Sequence, residues 1–155
     1  MEGMWYKECS QGRRFIIKIS PKESIVKKLI EFATEVKIKN AVVVSAVGSV
    51  KDVVFRGIKT GAKLPITEPR MHIHRVEGPL ELLGLEGNIF PTEDDKVDCH
   101  LHILVAKSSG EVLGGHLFDA EVFATCEVVV TEILASGVER YRSKSGGVKT
   151  IFIEE

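Results

Sequence analysis

Apolar residues recur in this chain mostly at every second position, with a single stretch at helical spacing. Over residues 14–19 (RFIIKI), Phe15, Ile17 and Ile19 share one side and Arg14, Ile16 and Lys18 the other. Side chains alternate along a strand, so this segment predicts a strand whose second face is only partly polar. The helical stretch follows it. Ser20, Pro21, Lys22 and Glu23 read as a capping box with proline at the first helical position. Ile25, Leu29, Phe32, Ala33 and Val36 then recur on one helical stripe. The spacing predicts one principal amphipathic helix over about residues 21–35, covering one face of a sheet.

Beyond Asn40 the pattern returns to strands. Residues 41–44, 50–58, 71–76, 80–85, 99–106, 122–133 and 148–153 are apolar or alternating, and 111–113 is a short return strand. Segments rich in glycine, proline and acids separate them, including 60–69, 77–79, 87–88 and 91–96. Residues 140–147 read as a loose loop. Gly48 marks a bulge or a close backbone approach. No GKS or GKT follows it, so it does not begin a phosphate loop. Seven to nine strands without regularly alternating helices argue against a doubly wound parallel sheet. The predicted fold class is α+β: a single domain over 1–155, core about 12–133, with a mostly antiparallel, barrel-like sheet. Apolar residues on both strand faces exceed what one helix covers, so oligomerisation is expected to bury the remainder.

Charge and cysteine usage narrow the function classes. The 155 residues are enough for a buried core. The formal charge is -1, from 21 basic and 22 acidic side chains. A balanced chain has no strong attraction for a phosphate backbone. Basic clusters at 37–39 and 140–144 read as solvated surface. Cys9, Cys99 and Cys126 are odd in number, scattered and without a CxxC. That argues against a disulfide framework and for a reducing compartment. No apolar stretch is long enough to span a membrane, and MEGMWYKE lacks the apolar run of a signal peptide. A cytoplasmic location with no membrane partner is expected.

The candidate chemistry centres on His100 and His102 in DCHLHILVAKSSG and His116 in EVLGGHLFDA. Alternation puts His100 and His102 on one face, roughly 6.6 Å apart along the strand. KSSG is a turn signal, and a return strand across it would bring His116 beside the pair. Gly114 and Gly115 permit close backbone approach there, or a bulge that re-aims His116. Neutral imidazole suits zinc, copper, iron and nickel. Three protein ligands with an open position is the usual catalytic zinc arrangement, whereas structural zinc normally takes four. Cys99 is the nearest fourth donor, but alternation points it away. Ordinary hydrogen-bonded histidines are the competing interpretation.

A second pair, His72 and His74, could join this site or form another, although no third ligand lies near it in sequence. Glu81 and Glu127 stand among apolar neighbours, where a carboxylate loses solvation unless paired. These two are the candidate catalytic residues. Each could orient a ligating histidine or act as acid or base toward an ion-activated water. The bland alternative is a glutamate on a sheet rim.

The stretches GRRFIIKI, VVVSAVGSV, GPLELLGLEGNI, CHLHILVAKSSGEVLGGHL and VFATCEVVV, in this order, resemble the plants-and-prokaryotes conserved (PPC) domain family, also called the PD1-like DNA-binding domain or DUF296. The likeness runs from about Gly12 to Glu132. It implies an α+β fold with an antiparallel sheet, assembly as a homotrimer, and a metal ion, zinc foremost, on His100, His102 and His116. It also implies that Gly78, Pro79, Leu80, Glu81, Leu82 and Leu83 match a segment that plant members use against partner proteins. Those members grip DNA through a separate AT-hook, and no RGRP-like segment occurs here. Three functions follow as expectations: a zinc-binding homotrimer with a regulatory or scaffold role, a metal-dependent hydrolase or lyase acting on a small anionic molecule at the metal site, and a DNA-associated protein.

Overall fold

Why the histidines converge is a matter of strand register. The computed structural model describes residues 3–153. Its elements are β1 (Ser10–Ile19), α1 (Ile25–Glu35), β2 (Ala41–Ile58), a short 3-10 turn (Glu68–Arg70), β3 (Met71–Val76), β4 (Leu80–Pro91), β5 (Val97–Ala106), β6 (Val112–Leu134), β7 (Val138–Arg142) and β8 (Lys149–Ile153). Six strands form one sheet in the order β1-β6-β5-β4-β2-β3, and β7 and β8 form a separate hairpin. Every pairing between these strands is antiparallel. The α+β class and the single principal helix agree with the sequence reading.

The barrel-like expectation is corrected. β1 and β3 end the hydrogen-bonded order, so the sheet keeps two edges. β2 and β6 are long and bulged enough to fold the sheet over and pair with each other as well. Closure would leave no edge, and this sheet is not a closed barrel. The segments 41–44 and 50–58 are one bent strand, with register shifts against β6 around Val43/Ser45, Gly48/Val50 and Lys51/Val54. Likewise 111–113 and 122–133 are parts of the single β6. Gly48 makes the bend physical. Its φ is +155, and a Cβ there would collide with the carbonyl oxygen of Thr125 on β6.

The helix begins later than predicted, and Ser24 rather than Ser20 caps it. The Ser24 hydroxyl accepts from the Lys27 N–H at 3.1 Å and donates to Asp119 Oδ1 of β6 at 2.8 Å. Lys22 has φ 70, which no helical residue adopts. Its N–H donates to the Val122 carbonyl at 2.8 Å, and the Val122 N–H donates to the Glu23 carbonyl at 2.9 Å. These bonds tie residues 22–23 to β6. The Glu23 carboxylate pairs with Lys28 at 3.4 Å instead of reaching back to Ser20.

Ile25, Leu29 and Ala33 of α1 are fully buried, in one core with Leu101, Ile103 and Val105 of β5 and Val122, Cys126, Val128 and Val130 of β6. Each fully buried Leu or Ile contributes roughly 1.5–3 kcal/mol. Stability therefore resides on the inner face. Alternation leaves His100, His102 and Leu104 on the outer face of β5.

The expected loose loop at 140–147 is also corrected, because 138–142 pair with 149–153. The hairpin lies against the outer face. Arg140 Nη2 donates to Asn88 Oδ1 of β4 at 2.6 Å, and the Ile66 N–H donates to the Gly146 carbonyl at 2.8 Å. Among the described residues, no helix is long and apolar enough to cross a membrane.

Candidate metal centre

One row of residues crosses four strands. Arg56 of β2 stands opposite His116 of β6, His116 opposite His102 of β5, and His102 opposite Glu86 of β4. His100 lies opposite Asn88 on the same outer face. The ring centroids are 5.3 Å apart for His100 and His102, 5.0 Å for His100 and His116, and 5.5 Å for His102 and His116. One ligand atom from each histidine lies within 4.8 Å of the others. Bonds of about 2.0–2.1 Å let one ion bridge nitrogens up to about 4 Å apart. Small side-chain rotations close the remaining gap, so the donor set fits a transition-metal ion.

Two glycines let β6 pass this close to both neighbours. A Cβ on Gly114 would collide with the Ile103 carbonyl oxygen of β5. On Gly115 it would sit 2.5 Å from the Arg56 carbonyl oxygen of β2. The β5–β6 register runs without a shift, so no bulge between them re-aims His116. Gly87, expected in a loop, lies inside β4 instead. Its φ is +143, and a Cβ would collide with the His100 carbonyl oxygen.

The surroundings favour neutral imidazoles. Burial, and then Arg56, push His116 down to about 4. Burial, and then Arg140, lower His100 as well. A neutral ring is the ligating form. Burial, followed by Asp98, pushes the Cys99 thiol up to about 12, and its sulfur is not among the converging ligand atoms.

The three histidines share a cavity of about 990 Å³ with Arg56, Asp98 and Arg140. Glu81 and Glu127 do not line it. Both are exposed. Glu81 lies opposite Ala106, at the far end of β5, and Glu127 lies opposite Lys18 and Val47. The carboxylates near the centre are Asp98 and Glu68, in the cavity wall, and Glu86, opposite His102 in register. Asp98 was legible in the sequence, since it shares the alternating face of His100 and His102. Glu86, Arg56 and Arg140 required the pairing of distant strands. His72 and His74 stay apart from the centre. Met71 and Ile73 line the cavity, so alternation turns the two histidines to the other face of β3. There His74 stacks on Phe55 at 5.0 Å, and the His72 and His74 rings are 4.4 Å apart.

Solved structures share this fold. A metal-containing protein from Archaeoglobus fulgidus is 32% identical, with a TM-score of 0.82 over 96% of this chain and 99% of that one. A plant- and prokaryote-conserved (PPC) protein from Pyrococcus horikoshii is 23% identical, with a TM-score of 0.81 over 98% of each chain, a likeness that shows the fold. The bifunctional protein GlmU of Synechococcus is 28% identical over 144 residues, which cover 92% of this chain and 21% of that protein. The chain thus spans about a fifth of that curated relative's length. Residues 6–134 match the Plants and Prokaryotes Conserved (PCC) domain, and the chain belongs to that family.

Proposed function

We propose that this chain is a zinc-binding protein that holds its ion through His100, His102 and His116 and works as a homotrimer in a regulatory or scaffold role. The convergence of three imidazoles, with ligand atoms within 4.8 Å of one another, carries the reading. The metal-containing relative from Archaeoglobus fulgidus supports it. Apolar side chains left on the surface, among them Ile16 at 89% exposure and Leu83, Leu104 and Phe123, support burial against further copies. When bound, the ion would supply Lewis-acid polarisation of a ligand in the cavity. The chain's own part is to keep His100 and His116 neutral and to hold all three rings on one rigid sheet face.

Elemental analysis of the purified protein, with light scattering for mass, tests this reading. About one zinc per chain is expected in the wild type, with a trimeric mass. His102→Ala is expected to lose the zinc and keep the trimer, because all three ligands come from one chain. Wild-type protein without a transition metal, or metal content unchanged in His102→Ala, defeats the reading.

A metal-dependent hydrolase or lyase is the second reading, favoured by the cavity that contains the centre. Turnover of p-nitrophenyl acetate or phosphate by the zinc-loaded protein, absent in His102→Ala, would support it. Equal rates in both proteins would remove it for those two substrates.

A further inference from the structure

Arg140 is a buried cation whose hydrogen bonds are incomplete. Its side chain is 1% exposed. Nη2 donates to Asn88 Oδ1, but Nε and Nη1 have no hydrogen-bond partner among the described residues. The carboxylate in its ion pair, Asp98, is 3.8 Å from Nε and is already held by Lys149 at 2.8 Å. Burying a guanidinium without its full set of acceptors is unfavourable, so its persistence at a cavity wall points to a partner that arrives from outside.

The same wall carries more positive charge than the protein neutralises. Arg56 bonds Met71 Sδ at 2.7 Å and lies over the Phe118 ring at 5.6 Å, with no carboxylate in ion-pair range among the described residues. Among the described residues, the Arg142 side chain bonds only the Gly147 carbonyl, at 3.1 Å. With Lys149, four cationic side chains line the cavity against the acids Glu68 and Asp98. Three of the four stand on the β7–β8 hairpin, beyond residue 134, where the PCC match ends.

We propose that this cavity binds a small oxyanion-bearing molecule, its carboxylate or phosphate group gripped by Arg140 and Arg56 beside the three histidines. A guanidinium donates charge-assisted hydrogen bonds to the oxygens of either group. The cavity volume lies within the range, roughly 300–1,000 Å³, of small-molecule sites. The inference rests on the metal-centre reading only for the ligand's second anchor, at the ion. The arginine contact stands without it.

Calorimetric titration of inorganic phosphate and of malonate into the full chain, zinc-loaded and metal-free, tests the proposal, with metal content measured in parallel. At least one anion is expected to bind both forms. Arg140→Met should weaken that binding at least tenfold at unchanged metal content and circular dichroism. The preferred anion identifies the headgroup. If Arg140→Met does not fold, Arg56→Gln carries the test, with an expected loss of at least threefold. Absence of binding by both anions, or binding unchanged in both variants, overturns the proposal. Protein that holds no zinc but binds an anion through Arg140 defeats the metal reading alone. Protein that holds zinc and binds neither anion defeats this inference alone.

Discussion

His102 and His116 stand directly opposite one another across the β5–β6 pairing, with ring centroids 5.5 Å apart. A shift of one residue would send His116 to the inner face, because strand side chains alternate. Gly114 and Gly115 hold the register by letting β6 lie between β5 and β2. Gly115→Ala would put a Cβ 2.5 Å from the Arg56 carbonyl oxygen. That overpacking should cost about 1–3 kcal/mol in urea unfolding. It should also reduce zinc affinity at least tenfold in a competition titration.

The two histidine pairs should behave oppositely. Among the described residues, His100, His102 and His116 are the one group of three whose ligand atoms converge. His116→Ala should therefore abolish stoichiometric zinc binding. The double variant His72→Ala/His74→Ala should retain it, at a stability cost of about 1 kcal/mol from the lost stacking on Phe55. Zinc per chain by mass spectrometry separates these outcomes.

The position of the helix cap can be read from stability alone. Ser24 accepts from the Lys27 N–H and donates to Asp119. Ser24→Ala should cost about 1–2 kcal/mol. Ser20→Ala, at an exposed side chain outside the helix, should change stability by less than about 0.5 kcal/mol. Both variants should bind zinc as the wild type does, since neither residue touches the outer face of β5.

Cys126 gives a pH signature. Burial, then Glu127, push its thiol up to about 11, from an ordinary value of 9.0. Between these values the unfolded chain gives up the proton while the folded chain keeps it. The contribution is thus fully present below about pH 9 and is lost as the pH rises toward 11. Relative to Cys126→Ala, the wild type should lose about 2–3 kcal/mol of its stability difference between pH 8 and pH 11. Chemical denaturation of both proteins at each pH measures it, and a constant difference would mean the thiol titrates normally.

Much of the fold was legible because short-range rules govern it. Alternation in 99–106 put the two histidines on one face, and KSSG supplied the turn that returns the chain to His116. The apolar stripe on Ile25, Leu29 and Ala33 marked the helix. The errors have specific causes. The Ser20 capping box was a valid local pattern, but backbone bonds between residues 22–23 and Val122 outweighed it. Gly87 suggested a loop, yet it sits in a strand where only glycine clears the His100 carbonyl. Arg140 belonged to a basic cluster that looked solvated, but it is buried where the β7–β8 hairpin meets Asn88 of β4.

Sequence alone determined which residues could ligate, since imidazole chemistry and a period of two are properties of neighbours along the chain. Tertiary structure decided what surrounds them: Arg56 opposite His116, Glu86 opposite His102, and Arg140 carried over the outer face by a hairpin. It also decided that the sheet keeps open edges and that Glu81 and Glu127 stand away from the centre. Those relations depend on register between segments far apart in sequence. Register is set by bulges, glycine contacts and core packing summed over whole strands, and no local pattern encodes that sum.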